Sequence, residues 1–118
     1  MPNNDLFGVH GAALAVRSQR MGVLASNIAN ASTPGFKAQD VDFQKALASV
    51  ESASRMGGNT SITSALQYRV PAQPSLDGNT VELSVEQTAF AENAVAYQTT
   101  LSFLNGRIGQ ITRALRGE

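Results

Sequence analysis

Along the last third of the chain, seam positions recur at alternating spacings of three and four: Gln87, Phe90, Ala94, Tyr97, Leu101, Leu104, Ile108, Ile111 and Leu115. Apart from Gln87 all are apolar, and the pattern runs for four heptads. It predicts a coiled-coil-like helix over 84–116, roughly 50 Å long at the usual helical rise. Ser84 and Gln87 fit a capping box at its start. Glu82 and Glu86 stand near the positive end of the helix dipole, Arg113 and Arg116 near the negative end. Gly117 suits the stop.

A looser version of the pattern opens the chain. Phe7, Leu14, Met21 and Ile28 lie seven apart, with Leu24 between the last two, which predicts a helix over 5–31. Asn3, Asn4 or Asp5 suits its cap. Thr33-Pro34-Gly35 ends it: proline cannot continue a helix, and glycine supplies the positive φ of a type II turn. Each helix carries a second apolar stripe, Val9-Val16-Val23 on the first and Ala89-Ala96-Phe103 on the other. Two paired helices bury one stripe each, so something else covers the second. The middle segment could fold over it, or neighbouring subunits could pack on it. The polarity of the middle favours neighbours, with Val9, Val16, Val23, Ala96 and Phe103 as contacts.

Between the helices, residues 32–83 are rich in Gly, Pro, Ser, Thr and Asn. Residues 49–64 read as a flexible loop. Gln67-Tyr68-Arg69-Val70 and Thr80-Val81-Glu82-Leu83 alternate like strands about an Asp77-Gly78 turn, a small hairpin that Pro71 and Pro74 keep short. The expectation is a mainly α fold in a single domain, 1–118. Its long terminal helices pair as a coiled-coil-like hairpin, and the middle is irregular with a small β-hairpin.

Composition narrows the chemistry. Charged residues make up 15% of the chain and the formal net charge is zero, so no electrostatic bias favours nucleic acid or an anionic membrane. There is no Cys and one His, His10, too few for a thiolate or histidine metal site. No catalytic motif appears, and Asp40 and Asp42 read as solvated loop acids. These features predict no enzyme, no cofactor, no metal and no small-molecule substrate. The first residues lack the basic and apolar regions of a cleaved signal peptide.

The string Leu24-Ala-Ser-Asn-Ile-Ala-Asn-Ala-Ser-Thr-Pro-Gly-Phe-Lys37 resembles the N-terminal signature of the bacterial flagellar axial proteins, the rod, hook and hook-associated subunits. Its marks are Asn27, Asn30, Thr33, Pro34, Gly35 and Phe36. Tyr68 to Val81, Phe90-Ala-Glu-Asn-Ala94, Tyr97-Gln98 and Asp40-Val-Asp-Phe43 are similar to the proximal-rod members of that family. The resemblance implies a structural subunit of the proximal rod in the periplasm, transmitting motor torque. It implies export by the flagellar type III apparatus without a cleaved signal. It implies as partners other copies of the chain, the rod proteins FlgC and FlgF, and the adaptor FliE that joins the rod to the membrane ring. A soluble helical adaptor or export-partner binding module is the alternative, and it would form a small closed oligomer.

Overall fold

A computed structural model describes residues 8–57 and 62–117. In chain order it contains helix α1 (Gly8–Ala29), strand β1 (Gln39–Val41), helix α2 (Phe43–Arg55), a short 3-10 turn (Thr63–Ala65), strand β2 (Leu66–Tyr68) and helix α3 (Leu83–Arg116). The body is elongated, 64 × 29 × 18 Å.

The expected pairing of the long helices is present and antiparallel. Asn27 meets Glu86, Arg17 meets Asn93, and His10 meets Phe103. Leu24 and Leu104 are buried, as are Ala13, Asn27, Glu86 and Asn93. Leu14, Met21, Ile28, Phe90, Tyr97, Leu101 and Ile111 are half-buried. In the first half of α3 the innermost line is turned by one residue from the expected seam. Glu86 and Asn93 are buried, Gln87 is exposed and Ala94 half-buried. The polar partners waiting on α1 and the middle segment draw that face inward. The expected contribution of Phe7 and the caps at Asn3 to Asp5 lie outside the described residues.

The ends of α3 differ from expectation at one side. Its N-cap is Glu82, which makes no side-chain cap bond, so the Ser84–Gln87 box is not formed. At the other end Gly117 adopts φ 80° and its N–H reaches the carbonyls of Arg113 and Ala114, a left-handed C-cap.

The middle segment is more ordered than its composition suggests. Residues 43–55 form α2, where the tail of the segment was expected to be a loop. Asp42 accepts a bond from the Lys45 N–H at 3.2 Å, as an N-cap does. Phe43, Ala46, Leu47 and Val50 recur at i, i+3, i+4, i+7, and Ala46 and Val50 are buried. A small antiparallel sheet is present, but its strands are β1 and β2, paired Gln39 to Tyr68, Asp40 to Gln67 and Val41 to Leu66. Residues 80–83 are not its second strand; they lead into α3.

This reverses one expectation about α1. Val16 is fully buried in a core with Val41, Ala46, Val50, Ile62 and Ala65, and Val23 packs half-buried against it. The middle segment covers this stripe, not a neighbouring subunit. Helix formation gathers the few apolar residues of the segment onto one face, so a polar composition suffices.

Candidate functional site

The helix-to-turn string from Asn27 to Lys37 is a folded junction. Asn30 donates from its amide to the Ser26 carbonyl at 2.8 Å and accepts from the Thr33 hydroxyl at 3.0 Å. Pro34 and Gly35 occupy the centre of a turn closed by Phe36 N–H to Thr33 O at 3.2 Å. Gly35 has φ 76°, the third-position geometry of a type II turn. Thr33, Pro34 and Gly35 are exposed, and Phe36 is half-buried. Phe36 borders an open groove of about 420 Å³ with Gly22, Val23, Ser26, Ile62 and Leu66.

A second strand of the chain stitches this junction from outside. Asn79 is buried, and its amide donates to the carbonyls of Asn30 (3.0 Å), Ala31 (3.1 Å) and Thr33 (2.7 Å). These groups follow the last turn of α1, where carbonyls lack helical partners. Thr80 adds two bonds, its N–H to Phe36 O at 2.9 Å and its hydroxyl accepting the Ala38 N–H at 2.8 Å. The Lys37 ammonium donates to Gly78 O at 2.6 Å. Asp77-Gly78 thus closes a turn against the junction. Replacing Asn79 by alanine should cost about 1–3 kcal/mol, because a buried amide and its bonds to the end of α1 are lost. Denaturant unfolding of the variant measures it, and a midpoint equal to the parent's would show that water substitutes for the amide.

Beneath the junction lies a cluster of charges. Asp40 takes Nε of Arg20 at 2.7 Å and a nitrogen of Arg69 at 3.0 Å. Arg69 turns its Nε to Glu86 at 2.6 Å. Glu86 is fully buried and also accepts from the Asn27 amide at 2.9 Å. That amide donates to Gln39 O at 2.7 Å, and its oxygen accepts the Gln39 N–H at 3.2 Å. Two acids and two arginines thereby join α1, β1, β2's continuation and α3. Asp40, expected as a solvated loop acid, is mostly buried. Burial pushes its carboxyl up, but the Arg20 hydrogen bonds, the Val41 N–H and the charges of Arg20 and Arg69 hold it below its ordinary 3.8. Because the folded carboxyl binds a proton less readily than the unfolded one, these pairs contribute fully above that ordinary value. Their contribution is lost as pH falls through the lower folded value. Unfolding stability followed into acid should drop in that window, and Asp40→Asn should flatten the drop. An equal drop in the variant would assign the acid lability to other carboxylates.

The remaining expected contacts divide by position. Val9 and Phe103 are each 45% exposed, and Ala96 is half-buried. The Phe103 ring lies 4.4 Å from that of His10, and Arg107 lies 5.9 Å over it. With Phe103 level with His10, residues 105–116 of α3 run past Gly8, the first described residue of α1. That projection is about 18 Å of helix. Along it the seam is unevenly covered: Leu104 is 7% exposed and Ile108 45%, Ile111 is half-buried, and Leu115 is 84% exposed.

Nothing in the charge cluster suits catalysis, since each carboxylate is held by an arginine. Among the described residues no group of acids and histidine could hold a metal, and no helix is long and apolar enough to cross a membrane. The cluster and the Asn79 stitch escaped the sequence reading because periodicity weighs only apolar positions. Glu86 and Asn93, seven apart beside the seam, were the available signal.

Residues 7–37 match the family described as "Flagella basal body rod protein". The chain is 46% identical to the flagellar basal body rod protein FlgB of Cereibacter sphaeroides, covering 97% of this chain and 96% of that one. It is 45% identical to the protein of that name from Aeromonas hydrophila, over 95% and 93%. The corresponding Escherichia coli K12 protein is 43% identical over 88% of each.

Proposed function

The chain belongs to the FlgB family of flagellar basal body rod proteins, and on that premise we propose that it is a subunit of the proximal rod that passes motor torque through its paired helices. Rod proteins of this family are structural, not enzymatic, and they assemble with other rod components. The finer neighbours we assign are further copies of the chain, FlgC and FlgF along the rod, and FliE toward the membrane ring. We place the subunit in the periplasm, delivered by the type III export apparatus without signal cleavage.

The observation that carries this reading is the projecting end of α3. Ile108 and Leu115 stand exposed on this end of the seam, and exposed apolar side chains of this kind suit coverage by another chain. Torque needs a subunit that does not shear internally. The Arg20–Asp40–Arg69–Glu86 cluster supports this by tying the two long helices to two segments of the middle.

Electron microscopy of basal bodies from cells lacking the chain tests the assignment, with swimming scored alongside. Membrane rings without a rod, in non-motile cells, are expected. Complete basal bodies in swimming cells would overturn the rod assignment and leave a helical binding module of small closed oligomers.

A further inference from the structure

The apolar seam between the long helices repeats itself. On α3, Phe90, Tyr97, Leu104 and Ile111 stand seven apart, and so do Ala94, Leu101, Ile108 and Leu115. On α1, Leu14, Met21 and Ile28 do the same. Sliding one helix past the other by a heptad, about 10 Å, therefore sets apolar residues against apolar residues again. There is helix to slide along, since α3 has 34 residues and α1 has 22. The slide would bring Gln110 level with His10 in place of Phe103, and it would draw α1 over Ile108, which is 45% exposed. The stitch before α3 does not forbid it. Its last bonded residue is Thr80, and from there to Leu83 the chain can reach about 10 Å. Apolar burial alone leaves the register open.

Two buried residues on α3 do not repeat. Glu86 has no exposed surface and Asn93 is 2% exposed, and the next positions at that spacing are Thr100 and Arg107. Glu86 accepts from the Asn27 amide at 2.9 Å and from Nε of Arg69 at 2.6 Å. Asn93 donates to the Arg17 carbonyl at 2.8 Å, but its Oδ1 is buried with no hydrogen-bond partner among the described residues. A buried amide satisfied on one side adds little to stability. Fixing register is the best-attested use of a buried polar residue in a helix seam. After the slide Asn93 would stand where Glu86 stands, leaving Arg69 without that carboxylate, and Thr100 would stand opposite the Arg17 carbonyl.

We propose that Glu86 and Asn93 are a register lock. They select the observed pairing of α1 and α3 over the one displaced by a heptad, which the apolar seam accepts equally. The lock thereby keeps the last turns of α3 clear of α1. It is a property of the single chain and holds whether or not the rod reading does.

The chain contains no cysteine, so introduced pairs report the register of the full chain through a short thiol cross-linker. His10→Cys/Phe103→Cys reads the observed register, and His10→Cys/Gln110→Cys reads the displaced one. With the lock intact, the first pair should link within the monomer at least about tenfold more than the second. Releasing the lock with Arg69→Met/Glu86→Leu/Asn93→Leu should raise the link at position 110 at least about tenfold, without loss of helix content. Linking confined to the first pair in that variant would overturn the proposal, because the apolar seam and the Asn79 stitch would then hold the register by themselves. So would equal linking of both pairs with the lock intact. Should the triple variant lose helix content, Asn93→Leu alone decides. It leaves the charge cluster whole, keeps the branched shape of the side chain, and should raise the link at position 110 several-fold. An unchanged link there would overturn the lock.

Discussion

Glu86→Ala should lower the stability of the subunit by about 3–5 kcal/mol, the scale set by breaking a buried ion pair from one side. Glu86 has no exposed surface, and its carboxylate is the partner of both Arg69 and the Asn27 amide. Removing it leaves a guanidinium near the core facing only Asp40, which already serves Arg20. Against the 5–15 kcal/mol that typically separates folded from unfolded domains, the loss is large. Equilibrium urea unfolding followed by helix signal is the measurement. A paired control separates strain from charge: Arg69→Met with Glu86→Leu removes both charges, and the double variant should lie much closer to the parent than Glu86→Ala alone. A loss below about 1 kcal/mol in the alanine variant would mean that water reaches the site and solvates Arg69.

Ile108→Asp and Leu104→Asp should part company, although both belong to one seam. Leu104 is buried where α3 lies against the start of α1. An aspartate there is a desolvated, unpaired charge, so the isolated subunit should lose helix content and cells should not swim. Ile108 is 45% exposed in the subunit. Aspartate at such a position changes the stability of the free chain by about 0.5 kcal/mol or less. In the assembled rod the same residue would be covered, and swimming should still be abolished. Helix content and melting of the purified variants, set beside soft-agar motility, decide it. Swimming at the parental rate with Ile108→Asp would mean that this part of the tip stays in water after assembly.

The parts of the fold that could be read from sequence are those written in apolar spacing and in Pro-Gly chemistry. The 34 residues of α3, Gly117 as its stop, and the Thr33–Phe36 turn all follow rules that act within a few residues. Helix α2 was legible in the same terms: Asp42 as a cap and Phe43, Ala46, Leu47, Val50 on one face. The surrounding Ser and Gly outweighed it. What spacing could not give is the polar interior. Asp40, Arg69 and Glu86 are far apart in sequence and sit among polar neighbours, so each alone reads as a surface charge. Only the fold, by bringing 20, 40, 69 and 86 together, makes them partners. Val16 went astray for a related reason: a stripe shows that a residue is covered and not by what.

The cluster also has an order in time. Its Arg20–Asp40 and Asn27–Gln39 contacts close short loops, separated by 20 and 12 residues. Arg69–Glu86 closes a loop of 17 residues, whereas Asn27–Glu86 and Arg17–Asn93 close loops of 59 and 76. Short loops close at lower entropic cost, so the first turn of α3 meets Arg69 as readily as α1 meets the middle segment, and the contacts between the two long helices come last. Alone, Arg20, Asp40 and Arg69 hold one surplus positive charge, which the carboxylate of Glu86 neutralises. The seam between the long helices then zips outward from that anchored first turn.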